Sequence, residues 1–137
     1  MTILDTNVVS EFMLHSPNSK VLGWLDRQPR SSLWTTAITI FEIRLGLQIM
    51  PSSKRRDAFN QRFDEVLARM NEQIVPFDAE AARHAASLMA SRKMHGRPRD
   101  LRDTMIAGIV LACRSSLATR NIAHFYDISA PLVDPWN

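Results

Sequence analysis

Apolar and polar residues change their period repeatedly along this chain, and each change marks a short element. Thr2-Ile3-Leu4 is an apolar run with the length of a buried strand, and it stops at Asp5. Val8 to Leu14 reads as a short helix. Ser16-Pro17-Asn18-Ser19 is a turn able to cap a second helix from about Lys20 to Arg27, where Val21, Leu22, Trp24 and Leu25 keep the helical period and Pro29 stops it. Ser32 to Thr35 is a second strand, followed by a helix from about Ile38 to Ile49. Pro51 opens another helix, charged and amphipathic over Arg55 to Asn71. Ile74 to Phe77 is a third strand, with Pro76 near its end. Asp78 caps an alanine-rich helix from Ala79 to His95, broken by Gly96-Arg97-Pro98. A last helix runs from Leu101 to Cys113, Leu117 to Thr119 is a fourth strand, and Leu132-Val133 is a short fifth.

Strands that alternate with pairs of helices argue for an α/β fold, a parallel sheet with helices on both faces. The strands are very short and the connections carry two helices, which is unusual for a dinucleotide-binding domain. Neither GxGxxG nor GxxxxGK[ST] occurs. No repeat, linker or low-complexity stretch interrupts the chain, so residues 1–137 are expected to form one domain.

Composition narrows the class. With 45% hydrophobic and 23% charged residues, the chain has globular proportions. The longest clearly apolar run, Met105 to Cys113, is far short of the ~20 residues that span a bilayer. Asp5 interrupts the first apolar run and no Lys or Arg precedes it, so no secretory signal is expected and the cytoplasm is the expected compartment. Cys113 is the single cysteine, which excludes an intrachain disulfide and a Cys-based zinc site; it reads as a small apolar residue.

Charge adds a partner. Seventeen Lys and Arg face fourteen Asp and Glu, a net of +3. If three carboxylates gather in one site, eleven acids remain and the rest of the molecule carries 17 − 11 = +6. Fourteen of the cations are Arg, the side chain best matched to phosphate. A basic body around a small acidic centre suits a polyanionic substrate cut with metal help.

Three acids are candidates for that centre. Asp5 directly follows the first strand, where open parallel sheets place their ligands; as Asp-Thr-Asn before an apolar run it also has the form of a helix cap. Glu42 lies on a helix among Ile38, Thr39, Leu45 and Gly46, an apolar face where a carboxylate needs a metal or an ion-pair partner, with open space above Gly46. Asp103 has Ile106 and Ala107 on its inner side, and Asp100 beside it can take the capping role. Asn121 leaves another strand end and is either a neutral neighbour of the site or a turn residue in a left-handed conformation. Magnesium and manganese take oxygen ligands of this kind. His15, His84, His95 and His124 show no zinc-ligand spacing, and the first, second and third of these read as surface residues.

Taken in order, Ile3-Leu4-Asp5-Thr6-Asn7, Phe41-Glu42-Ile43-Arg44-Leu45-Gly46, Gly96-Arg97-Pro98, Asp103 to Ile109, and Ala118-Thr119-Arg120-Asn121 with Phe125 resemble the PIN-domain family and, within it, the VapC/FitB-like toxins. The closing Val133-Asp134-Pro135-Trp136-Asn137 is similar to the ends of FitB-like members. The resemblance covers nearly the whole chain. It implies a flavodoxin-like α/β/α sandwich with a short, mostly parallel sheet. It implies RNA hydrolysis dependent on Mg2+ or Mn2+, a homodimer, and a cognate antitoxin that blocks the site and binds operator DNA. Asp5 and Asp103 match the family's main metal ligands and Glu42 the acid that completes the site; Thr6 and Asn7 are implied as supports for the first ligand. Many relatives carry a fourth acid at the position of Asn121 or of His124. This chain has none from 121 to 124, so a second metal is not expected, and Asp127 is not placed in the site. Two other readings stay open: a weakly active PIN-fold module acting as co-repressor with a DNA-binding antitoxin, and a structural domain whose acids are caps.

Overall fold

Every strand among the described residues is two to four residues long, so the sheet is a narrow floor and the helices provide most of the mass. A computed structural model describes residues 1–97 and 100–137. The strands are β1 (Thr2–Leu4), β2 (Leu33–Thr36), β3 (Ile74–Val75), β4 (Ser116–Ala118) and β5 (Leu132–Val133), in spatial order β3-β2-β1-β4-β5, all parallel. The helices are α1 (Thr6–Phe12), α2 (Ser19–Asp26), α3 (Ala37–Ile49), α4 (Lys54–Arg69), α5 (Ala79–Met94) and α6 (Leu101–Cys113). The element order matches the expected alternation, and the α/β/α sandwich is the expected one.

The pleat of the strands sorts side chains onto two cores. Leu4, Leu33 and Ala118 point to one face, where they meet Val8 and Val9 of α1, Ile43 and Leu47 of α3, and Phe63 and Leu67 of α4. Ile3, Trp34 and Leu117 point to the other, against Ala81 of α5 and Ile106, Ile109 and Val110 of α6. The second core is closed by near contact of two backbones. A Cβ on Gly108 would lie 2.5 Å from the Ala81 carbonyl and 2.7 Å from the Ala85 Cβ, so only glycine lets α5 and α6 approach this closely.

The chain passes from β1 out to β2 and β3, then returns past β1 to β4 and β5. The order therefore reverses between β1 and β4, and a crevice opens beyond their carboxyl ends. Caps fix the helix starts around it. Asp5 caps α1, which begins at Thr6 rather than at Val8 because that cap reaches the first available N–H. Asn18 caps α2, Thr36 caps α3, Ser53 caps α4 and Asp78 caps α5. Pro98, part of the expected break after α5, lies outside the described residues. Among the described residues no helix is long and apolar enough to cross a membrane.

Candidate active site

A cleft of about 410 Å3 sits at the crevice between β1 and β4, and Asp5, Thr6, Asn7, Glu42, Asp103 and Asn121 all line it. These are the six residues expected from the sequence, brought together from positions more than a hundred residues apart.

Asp5 is the deepest, with only 2% of its surface exposed. Its two oxygens have separate jobs. Oδ1 accepts the Thr6 N–H at 2.8 Å and so caps α1. Oδ2 accepts the Thr119 hydroxyl at 2.7 Å and the Asn7 side-chain amide at 3.3 Å. Thr119 is itself oriented, because its oxygen accepts the Asn121 N–H at 3.0 Å. Asn7 is held in turn by the Arg120 N–H, which donates to its Oδ1 at 3.2 Å. The capping and ligand readings of Asp5 are thus compatible: one oxygen serves the helix and the other faces the hydroxyl of β4's end.

Glu42 is half-buried on α3. A line of hydroxyls reaches it from the end of β2. Thr36 Oγ1 donates to Thr39 Oγ1 at 3.4 Å, Thr39 and Thr6 hydroxyls lie 3.0 Å apart, and Thr6 Oγ1 donates to Glu42 Oε1 at 3.1 Å. Thr36 and Thr39 are fully buried, so each hydroxyl in the line is aligned by its neighbours. Glu42 forms no salt bridge among the described residues, and a Cβ on Gly46 would touch nothing within 4 Å, as the open face above that glycine requires.

Asp103 lies in the first turn of α6, which Asp100 caps by accepting the Arg102 N–H at 2.8 Å. The two acids therefore divide capping and cleft duties. Asp103 Oδ2 meets His124 Nδ1 at 3.0 Å. Asn121 follows β4 with φ of −95°, so it is not in the left-handed conformation that a turn reading allows. Cys113 is half-buried and away from the cleft, and burial pushes its thiol pKa up.

The electrostatics reflect crowding of like charge. Burial pushes the Asp5 carboxyl pKa up, Thr119 and the Thr6 N–H pull it down, and the Asp103 charge adds to the rise. Burial also raises Glu42; Thr6 and Arg102 oppose the rise, while Asp5 and Asp103 reinforce it. A hard divalent cation relieves all of these at once, and the donor set is all oxygen, so magnesium and manganese fit the chemistry of the cleft. The cage is not closed, however. Among the described residues no three Asp, Glu, His or Cys side chains converge on one point. Glu42 is turned to Thr6 and Asp103 to His124.

Sequence reasoning missed four contributors: Thr119, Thr36, Thr39 and His124. Thr119 directly follows its strand as Asp5 does, and that parallel is a signal available in the sequence. Thr36 and Thr39 carry only the spacing of a helix cap. Nothing local places His124 against Asp103, because their contact depends on how the segment after β4 folds back.

A small acidic cleft thus sits at the switch point of a five-stranded parallel sheet. The chain belongs to the PIN-domain family, whose pattern it matches over residues 2–130. It is similar to VapC ribonuclease Y4jK of Sinorhizobium fredii, with 39% identity over 99% of this chain and 98% of the relative. It is also similar to toxin FitB of Neisseria gonorrhoeae, with 30% identity over 100% of this chain and 99% of the relative. Among solved structures it superimposes on a chain of FitAB bound to the IR36 DNA fragment, with a TM-score of 0.89, 30% identity, and coverage of 100% of this chain and 96% of that one.

Proposed function

We propose that this protein is the toxin of a toxin–antitoxin pair, an endoribonuclease that hydrolyses RNA phosphodiesters with magnesium or manganese and is neutralised by a cognate antitoxin in the cytoplasm. The observation that carries the reading is the convergence of Asp5, Glu42 and Asp103 on one cleft beyond β1 and β4. The names VapC ribonuclease and toxin FitB, borne by relatives matched end to end, support the same activity.

Asp5, Glu42 and Asp103 are the residues that would hold the cation. When bound, such a cation neutralises phosphate charge and makes a coordinated water more acidic. The chain's own part is positioning. Thr119 and Asn7 keep Asp5 Oδ2 in one orientation, and Thr6 does the same for Glu42. Arg102, close enough to Glu42 to lower its pKa, offers charge to the RNA backbone beside the cleft. No side chain needs to act as a nucleophile, since hydrolysis of this kind is driven by alignment and charge stabilisation. The similarity to FitAB bound to DNA supports an antitoxin as partner and contact with operator DNA through that antitoxin; a homodimer is part of the same reading.

One observation favours a second reading, a co-repressor module with little activity: the three acids do not close on one point and no acid stands at 121–124. Cleavage decides between them. Purified full-length chain, incubated with RNA in manganese and in chelator, is expected to cut only with metal, and Asp5→Asn, Glu42→Gln and Asp103→Asn are expected to abolish most of that activity. Absence of metal-dependent cleavage in the parent favours the co-repressor.

A further inference from the structure

Among the described residues Arg92 is the largest fully buried side chain, 1% exposed, and it does not line the cleft. It lies in the last turn of α5. Its Nε and Nη2 donate to the two carboxylate oxygens of Asp127 at 2.9 and 2.8 Å. Nη2 also donates to the His124 carbonyl at 2.9 Å, and Nη1 to the Thr104 hydroxyl at 3.0 Å. One planar cation therefore joins three segments: the end of α5, the first turn of α6, and the chain after β4.

Two of those segments carry the far wall of the cleft. Thr104 follows Asp103, and the His124 ring meets Asp103 Oδ2 at 3.0 Å. Arg92 thus grips the backbone of His124 and the neighbour of Asp103 at the same time. A charge this deep carries a heavy desolvation cost, and well-packed apolar residues often stabilise such a site as well or better. The helices it joins are already packed through Gly108 and Ala85. What apolar packing cannot supply is direction: a guanidinium fork with a carboxylate on one side and two fixed acceptors on the others permits one arrangement of all three segments.

We propose that the buried Arg92–Asp127 pair is a positioning device for the cleft, setting the His124 segment against α6 and thereby holding Asp103 in place. Its effect on function rests on the metal-dependent reading of the cleft, whereas its effect on geometry does not.

The test uses the full chain and three variants. Asp127→Asn keeps the shape and weakens the pair. Arg92→Lys keeps the charge and loses the fork. Phe63→Leu, buried on the opposite face of the sheet, serves as a control for general destabilisation. Hydrogen exchange of the His124 and Phe125 amides is followed in chelator, and manganese binding is followed by calorimetry at a temperature where all variants remain folded by circular dichroism. Asp127→Asn is expected to speed exchange at those two amides about tenfold beyond the Phe63→Leu control after correction for the melting loss of each. It is also expected to weaken manganese binding by roughly 10- to 100-fold, the range for support residues behind a ligand. Arg92→Lys is expected to fall between Asp127→Asn and the parent in both measurements, and it carries the test if Asp127→Asn does not fold. Exchange that rises no more than in the control overturns the proposal, as does parental manganese affinity in both pair variants. A parent that binds no manganese defeats the metal reading instead, and the exchange comparison then decides the clamp by itself.

Discussion

The two walls of the cleft present carboxylates by different means. On the β1 side, Asp5 and Glu42 are held by short side chains, the buried Thr119, Thr39 and Thr36 and the half-buried Asn7 and Thr6. Each lever is one or two bonds long and starts from a strand end or a capped helix, so its error in position is small. On the α6 side, Asp103 is 21% exposed and its visible partner is the ring of His124, 46% exposed. Order there comes from farther away, through the ionic clamp behind the segment. The difference shows how one site can combine a directly held half and a half supported from behind, with burial raising the carboxyl pKa of Asp5 and Glu42 in the first.

The largest test of that contrast separates activity from stability. Asp5→Asn, Glu42→Gln and Asp103→Asn should each lower metal-dependent RNA cleavage by more than about 100-fold, beyond the loss typical of support residues. Melting in chelator should split them. Glu42→Gln removes a charge that burial and two neighbouring acids disfavour, and should melt higher than the parent; Asp103→Asn should melt close to it. An equal rise in both would erase the distinction between the walls.

Next in size is Thr119→Val, which keeps the volume of the buried side chain but takes the donor from Asp5 Oδ2 and the acceptor from the Asn121 N–H. Unpaired buried polar groups of this kind cost about 1–3 kcal/mol. Manganese affinity should fall by roughly 10- to 100-fold. Parental affinity and melting together would mean that the hydroxyl is not what holds Asp5.

Asn121→Asp sharpens the picture from the opposite direction. Asn121 lines the cleft and contributes a dipole without charge. An added carboxylate should raise manganese affinity about tenfold, equivalent to about 1.4 kcal/mol, and should lower melting in chelator because another negative charge joins the carboxylates already lining the cleft. Calorimetric titration with melting curves reads both signs, and no change in either removes Asn121 from the site.

The smallest expected effect is a pH dependence. The folded state raises the pKa of Asp5 and Glu42, so it favours their neutral forms. The stability this contributes is fully present below the ordinary carboxylate range and is lost as pH rises through the raised values. In chelator, the melting advantage of Glu42→Gln over the parent should therefore grow as pH rises through that window, reaching about 2 °C. An advantage independent of pH would assign the stabilisation to something other than the lost charge.

Much of this arrangement is legible in the residues alone. The alternating periods mark all five strands and six helices, and Asp78, Asp5 and Asp100 announce helix starts, because periodicity and capping are local properties that tertiary contacts reinforce. The three acids stand out for the same reason: each is a charge beside apolar neighbours or at a strand end. Most boundaries shift by a residue or two, as at Thr6, Leu33, Val75 and Ser116, because caps and strand register decide them.

The sequence by itself determined the fold class, the order of elements, six of the residues that line the cleft and the PIN-domain membership, since these follow from period, spacing and residue chemistry. Only the tertiary structure decided how the carboxylates are held. The contacts from Thr119 to Asp5, Thr6 to Glu42, His124 to Asp103 and Arg92 to Asp127 link positions 21 to 114 residues apart. No local pattern encodes such a pairing: the direction of a hydroxyl or a guanidinium becomes defined only when the sheet order brings β1 beside β4 and the following segment folds back onto α5 and α6.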